Sequence, residues 1–325
     1  MFQKKHLHAL ATTTTPAPSG TDWIPEDATE PVHIEETAEA ELALNQTFWE
    51  KFTSMFRHNK LALVSLIVII LFLLVSLLAP VFAPYGVDDQ DTSISLLKPC
   101  AGHILGCDKL GRDMLSRMIY GSRASMKVAF IPTVISMFIG TVLGLIGGFI
   151  GGKVDSLIMR IADICIAFPS LLLAMVISYI LGTGMLTIMI ALSVVSWGGT
   201  ARVIRSEVLS LREKEYVEAA TSIGVKKTII MIRHILPNCI PTLIVLFTMN
   251  VPGNILSEAS LSFLGIGIKP PDTSWGLLIY QNKAYLSINP VTTMVPGIAI
   301  LILVLAFNFF GDALRDKFDP RLQDQ

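Results

Sequence analysis

Charge is scarce in this chain of 325 residues. Only 16% are Asp, Glu, Lys or Arg, while 52% are hydrophobic; ordinary soluble domains carry roughly a quarter charged residues. That shortage excludes a soluble globular class and points to a membrane protein. Cysteine and histidine are also few, four and six, and scattered, so no metal framework is legible. The first residues, Met1-Phe2-Gln3-Lys4-Lys5-His6, lead into threonines rather than an apolar core. No cleavable signal peptide is expected, and insertion falls to the first span. The net charge of -1 conceals an acidic first 50 residues and basic loops, so overall charge names no partner, nucleic acid included.

What is present is a series of apolar runs. Residues 1–47 are rich in Thr, Pro and Glu and read as a disordered tail. Phe48, Phe52, Met55 and Phe56 recur at helical spacing beside Trp49, Lys51, Arg57 and Lys60, which suits an interfacial helix. A first span follows at Leu61–Leu78, so residues 48–82 form one unit. Residues 83–127 are expected to be a loop with a short surface helix after Asp113. A core at 128–311 then carries five more spans: Val128–Ile150, Leu157–Leu181 kinked at Pro169, Met185–Trp197, Ile240–Ile255 with a break at Pro252-Gly253, and Val291–Phe310. A tail at 312–325 closes the chain. Gly140, Gly144, Gly148 and Gly152 share one helix face and should meet another span. Arg160 and Asp163, three apart, are placed to pair.

The fold class expected is therefore all-α, with six transmembrane helices. Basic residues set its orientation. Lys153, Arg202, Arg205, Arg212, Lys214, Lys226, Lys227, Arg233, Arg315, Lys317 and Arg321 fall on one side with both termini, which marks that side as cytosolic. The 83–127 loop counts against this, because it holds Lys98, Lys109, Arg112, Arg117, Arg123 and Lys127.

The long polar stretch between the fourth and fifth spans is the candidate site. Tyr216, Val217, Ala219, Ala220 and Ile223 give a narrow stripe with alanines at its middle, and Glu218 projects elsewhere. Gly224 suits a helix end. A second helix to Leu236 should stop at Pro237, which makes paired helices over 213–236. Two readings stand: docking into a partner's groove, or packing on the chain's own bundle. No catalytic residue is assigned, and nothing identifies substrate-binding side chains. Gly147–Lys153 fits the G-x-x-x-x-G-K frame of a phosphate loop, but Val154 lacks the magnesium-binding hydroxyl and the preceding segment reads as a span. No nucleotide or other cofactor is expected in this chain.

Glu218-Ala219-Ala220, Gly224 and Ile235-Leu236-Pro237 resemble the EAA signature of binding-protein-dependent ABC importer permeases. Leu105-Gly106, Asp108, Gly111-Arg112-Asp113, Glu258-Ala259, Ser274-Trp275-Gly276 and Asp312-Ala313-Leu314-Arg315-Asp316 resemble the dipeptide, oligopeptide and nickel branch, second permease of the pair. The resemblance implies a type I importer permease fold in the inner membrane of a prokaryote. It implies a homologous second permease, two cytosolic ATP-binding subunits and an extracytoplasmic solute-binding protein. The implied substrate is a di- or oligopeptide, with nickel or a metal chelate as the alternative. Glu218, Ala219, Ala220 and Gly224 would form the cytosolic coupling element. A secondary transporter would need buried relay charges, and only Arg160, Asp163 and Glu258 come near that. Where the family usually has Thr stands Cys107, seven residues after Cys100 in a loop read as external, so a Cys100–Cys107 disulfide is expected. A metal site of Cys100, His103, Cys107 and Asp108 is the lesser reading.

Overall fold

Helices form where the apolar runs fall, and in the computed structural model they account for most of the described residues, 52–56 and 59–318. Asn59 caps α1 (Lys60–Leu77): its side chain accepts the Ala62 N–H at 3.1 Å. A turn of helix, α2 (Ala79–Phe82), follows it. The loop beyond carries a 3-10 turn at Thr92–Ile94 and ends at Asp113, which caps α3 (Met114–Ile150) by accepting the Ser116 N–H at 2.7 Å. Then come α4 (Gly152–Ala167), α5 (Ser170–Leu181), α6 (Met185–Arg212), α7 (Glu215–Ser222) and α8 (Lys227–Ile230). A π turn at Met231–Ile235 leads into α9 (Leu236–Phe263). The short α10 (Trp275–Asn282) and a 3-10 turn at Lys283–Tyr285 precede α11 (Val291–Phe318). Among the described residues there is no strand, only an isolated antiparallel bridge between Cys107 and Asp113.

Several boundaries differ from expectation. The surface helix after Asp113 is not separate but forms the first turns of α3, because the charge in its first turn is absorbed rather than solvated: Arg117 is 1% exposed and paired with Asp108 at 2.6 Å. Pro237 does not end a helix. The Leu236 N–H reaches back to the Met231 carbonyl, an i→i−5 bond, and the widened turn carries the proline into α9. Pro252 leaves α9 continuous, and the last helix continues through the expected tail to Phe318. Asp163 pairs with Arg202 of α6 at 2.6 Å rather than with Arg160, and Asp155 pairs with Arg205, so both acids tie α4 to α6. Of the interfacial segment, Phe48, Trp49, Lys51 and Arg57 lie outside the described residues. Phe52 and Phe56 meet edge to face at 5.1 Å and pack with Met55 against the core of α1, α9, α10 and α11.

The glycine stripe does meet another span. A Cβ on Gly140 would lie 2.7 Å from the Trp197 carbonyl oxygen, on Gly144 2.7 Å from that of Ala201, and on Gly148 3.0 Å from that of Arg205. Residues 140–148 of α3 thus lie backbone to backbone against α6, and Gly148 is held in a helix rather than free to cradle a phosphate. Gly152 stands clear of this contact.

Among the described residues, five helices are long and apolar enough to span a bilayer, and α4 with α5 makes a sixth, bent by 93°. Side-chain contacts decide whether that pair crosses. Arg117 donates to Gln281 at 3.0 Å, Trp275 Nε1 donates to the Met118 carbonyl at 3.0 Å, and Asn289 donates to the Leu97 carbonyl at 3.1 Å. The loop before α3 and the segment around α10 therefore share one side. Leaving that side along α3 and returning along α9 requires an odd number of crossings after α3. With α6 and α9 supplying two, α4 and α5 supply the third. The described residues thus make six crossings, and the start of α1, α7 and the end of α11 share the opposite side.

Candidate functional site

Helix α7 sits on that opposite side, entered through Glu213-Lys214 and left through Gly224. Its stripe divides in two. Val217 is 1% exposed and Ala220 8%, packed with Leu145, Phe149, Ile204, Val208, Ile230 and Ile235. Tyr216, Ala219 and Ile223 turn the other way, three and four residues apart, with Ile223 81% exposed. Glu218 is exposed beside them. The four residues expected to act together are thus split: Glu218 and Ala219 face outward, whereas Ala220 seats the helix against α3, α6 and α8. Glu215 and Glu218 lie in the first turn of α7, where the helix dipole favours negative charge. Glu218 has no ion pair among the described residues.

Gly224 fixes how α7 ends. Its φ is +82°, its N–H donates to the Thr221 carbonyl at 3.0 Å, and the Val225 N–H donates to the Ala220 carbonyl at 3.1 Å. This pair of bonds is a Schellman motif, which satisfies the last carbonyls and turns the chain toward α8. No atom lies within 4 Å of a Cβ built there, so glycine is needed for conformation and not for space.

A second feature was not legible in advance. A polar cavity of about 160 Å³ lies where α5, α6 and α9 converge, lined by Ser170, Ser196, Asn250, Asn254 and Ser257 together with Leu192, Val195, Met249 and Gly253. Asn254 donates to Thr133 Oγ1 at 2.7 Å. The 93° break at Pro169 brings Ser170, the first residue of α5, to this cavity. Asn250, Asn254 and Ser257, spaced by four and three on an otherwise apolar helix, were the available signal.

Asp108, Glu258 and Gly111, also among the motif residues, hold local structure. Asp108 accepts from the Leu110 and Arg112 N–H groups and from the side chains of Arg112 and Arg117. Glu258 is 1% exposed and accepts from Ser262 at 2.8 Å and Ser274 at 2.7 Å, which fastens α9 to α10 rather than forming a relay. Gly111 has φ +71°, and a Cβ there would fall 1.7 Å from the Asp91 carbonyl oxygen. All four cysteines are free thiols, so the Cys100–Cys107 bridge is not formed in this structure: Cys100 is exposed and Cys107 buried. Cys107 is tucked between the Leu97 carbonyl, which its N–H meets at 2.9 Å, and the bridge to Asp113. Burial, then the charges of Asp113 and Asp108, pushes the Cys107 thiol up to about 11. Among the described residues no cluster of His, Cys, Asp and Glu suits a metal.

Six crossings with a polar cavity between spans define a multi-pass membrane protein with a transporter's architecture. Residues 140–324 match the family described as binding-protein-dependent transport system inner membrane component, and 47–99 match the N-terminal transmembrane domain of oligopeptide transport permease C. The chain is 39% identical over 275 residues to a dipeptide transport system permease protein of Alkalihalophilus pseudofirmus, covering 85% of this chain and 90% of that one. It is 37% identical over 277 residues to the oligopeptide permease of Bacillus subtilis (85% and 91%), and 36% over 279 to a glutathione permease of Pectobacterium atrosepticum (86% and 93%). An inward-facing methionine ABC transporter structure aligns with TM-score 0.51 at 19% identity, over 63% of this chain and 96% of that one, which supports the fold. The chain belongs to the binding-protein-dependent ABC importer permeases. It is a multi-pass membrane subunit without enzymatic activity of its own, and ATP hydrolysis in such importers belongs to separate subunits.

Proposed function

We propose that this chain is one of two homologous permeases that pass a di- or oligopeptide, delivered by an extracytoplasmic binding protein, across a prokaryotic inner membrane. Two cytosolic ATP-binding subunits would drive it, one docking on the outer face of α7. The observation that carries this reading is the division of α7. Val217 and Ala220 anchor the helix in a cluster with residues of α3 and α6, so a push on Glu218, Ala219 and Ile223 is passed to α6, one of the spans that line the polar cavity. The side holding α7 and both ends of the described bundle is then the cytosol, in agreement with the basic residues Lys153, Arg212, Lys226 and Lys227. A peptide suits the cavity chemically, since neutral serines and asparagines can match amide N–H and C=O groups without demanding charge. The names of the relatives support the same substrate class.

The test is uptake by the full importer in cells. Radiolabelled dipeptide should accumulate with ATP-dependence, and Glu218→Ala should lower both uptake and co-purification of the ATP-binding subunits several-fold. Accumulation of nickel but not peptide would replace the substrate reading. Unchanged co-purification and uptake in Glu218→Ala would remove the docking role.

A further inference from the structure

Arg123 and Lys127 are the two basic residues of α3 that fit the orientation least. They lie one turn apart, about 6 Å along the axis, and neither has an ion pair among the described residues. Both line a groove of about 400 Å³ between α1 and α3, whose other walls include Leu73, Leu77, Met126 and Phe130. The groove opens away from the bundle: Leu77 is 70% exposed and Leu73 37%. It sits at the last turn of α1, next to the chain's exit from the span at Pro80. The cations stand toward the end of α3 nearer the loop, and Phe130 continues the furrow toward the middle of the helix.

We infer that this groove binds an anionic phospholipid, with its phosphate between Arg123 and Lys127 and an acyl chain along the Leu73, Leu77 and Phe130 wall. Two cations without an ion pair, whose hydrocarbon stems line an apolar furrow, complement an amphiphile with a negative head and an alkyl tail. A zwitterionic lipid would bring its own cation to the same place. The helix of a partner permease would leave both charges buried unless it supplied carboxylates. Long basic side chains at the edge of a span extend toward the headgroups while their stems cover apolar surface. Basic residues on the wrong side for the orientation rule thereby acquire a use. Assignment to the outer leaflet rests on the orientation proposed above; the lipid grip does not.

The experiment uses the assembled importer, delipidated in detergent and titrated with phosphatidylglycerol or phosphatidylcholine, with bound lipid counted by native mass spectrometry. Wild type should retain phosphatidylglycerol in preference. Arg123→Gln with Lys127→Gln should lose about twenty-five-fold in affinity, at roughly fivefold per cation, while Lys127→Arg should keep it. If the double variant does not assemble, Lys127→Glu at its exposed position carries the test, with a loss of at least fivefold expected. Equal retention of both lipids by wild type, unchanged retention in the charge variants, or a disulfide between cysteines placed at Leu77 and on the partner permease would each overturn the inference. Peptide uptake in cells separates the two proposals, since a failed lipid preference leaves transport standing.

Discussion

Ala220 and Gly224 belong to one turn of chain and act in different ways, one by burial and one by backbone sign. Placing alanine at 224 forces a left-handed conformation on a residue with a Cβ, at a cost of about 1–2 kcal/mol. Asparagine tolerates that conformation better. Proline cannot reach φ +82° and also removes the N–H donated to Thr221. The expected order of loss in the complex's apparent thermal midpoint and in ATP-coupled uptake is Asn, then Ala, then Pro. Equal effects of Asn and Pro would show that conformation is not what position 224 supplies. Cys107 offers a pH test. Its thiol is held protonated up to about 11 against an ordinary value of 9, so its contribution to loop stability is full below pH 9 and is lost as pH rises through about 11. Cys100 should alkylate in the folded protein at pH 7.5, and Cys107 only on denaturation or toward pH 11. Protection of both until a reductant is added would establish the bridge instead. The signature residues of α7 were legible as a motif. Their two faces were not, since a narrow stripe of small apolar residues does not reveal which edge its own bundle covers.

Among elements, the contact between α3 and α6 was the most legible, because small residues every fourth position have few uses in lipid other than close approach. Gly144→Val should be the sharpest probe of it. Its Cβ would fall 2.7 Å from the Ala201 carbonyl oxygen and 3.0 Å from Ile204 Cβ, both rigid parts of a neighbouring helix. Overpacking of this kind costs about 1–3 kcal/mol or more, and the variant should accumulate poorly in membranes. Gly199→Ala, where no atom lies within 4 Å, is the matched control and should accumulate normally. Equal levels of the two would dismiss the stripe as a packing seam. Prolines were the least legible signal. Pro169 ends one helix and turns the next by 93°, Pro237 sits inside a continuous run behind a π turn, and Pro132 and Pro252 lie within unbroken helices. The local sequence is similar in each case. The outcome depends on whether neighbouring turns can reassign the freed carbonyl.

At the level of the molecule, the apolar runs read as six spans, but the 93° bend between α4 and α5 left helix length alone compatible with five or six, and the basic residues were divided. The bonds of Arg117 with Gln281 and Trp275 with Met118 close the question of parity, because they join segments that sequence places about 160 residues apart. No periodicity carries that information; it is a tertiary fact. The consequence is measurable in a chain stripped of its four cysteines. A single cysteine at Gly102, exposed in the loop before α3, and one at Ser222, exposed on α7, should lie on opposite sides of the membrane. In intact spheroplasts an impermeant maleimide should label position 102 at once and position 222 only after permeabilisation. Were α4 and α5 to return to the side they left, α6 would run the other way and position 222 would label from outside. That outcome would also separate the loop before α3 from Gln281, so the same cells would show whether Arg117→Ala and Gln281→Ala weaken one shared contact or two unrelated ones.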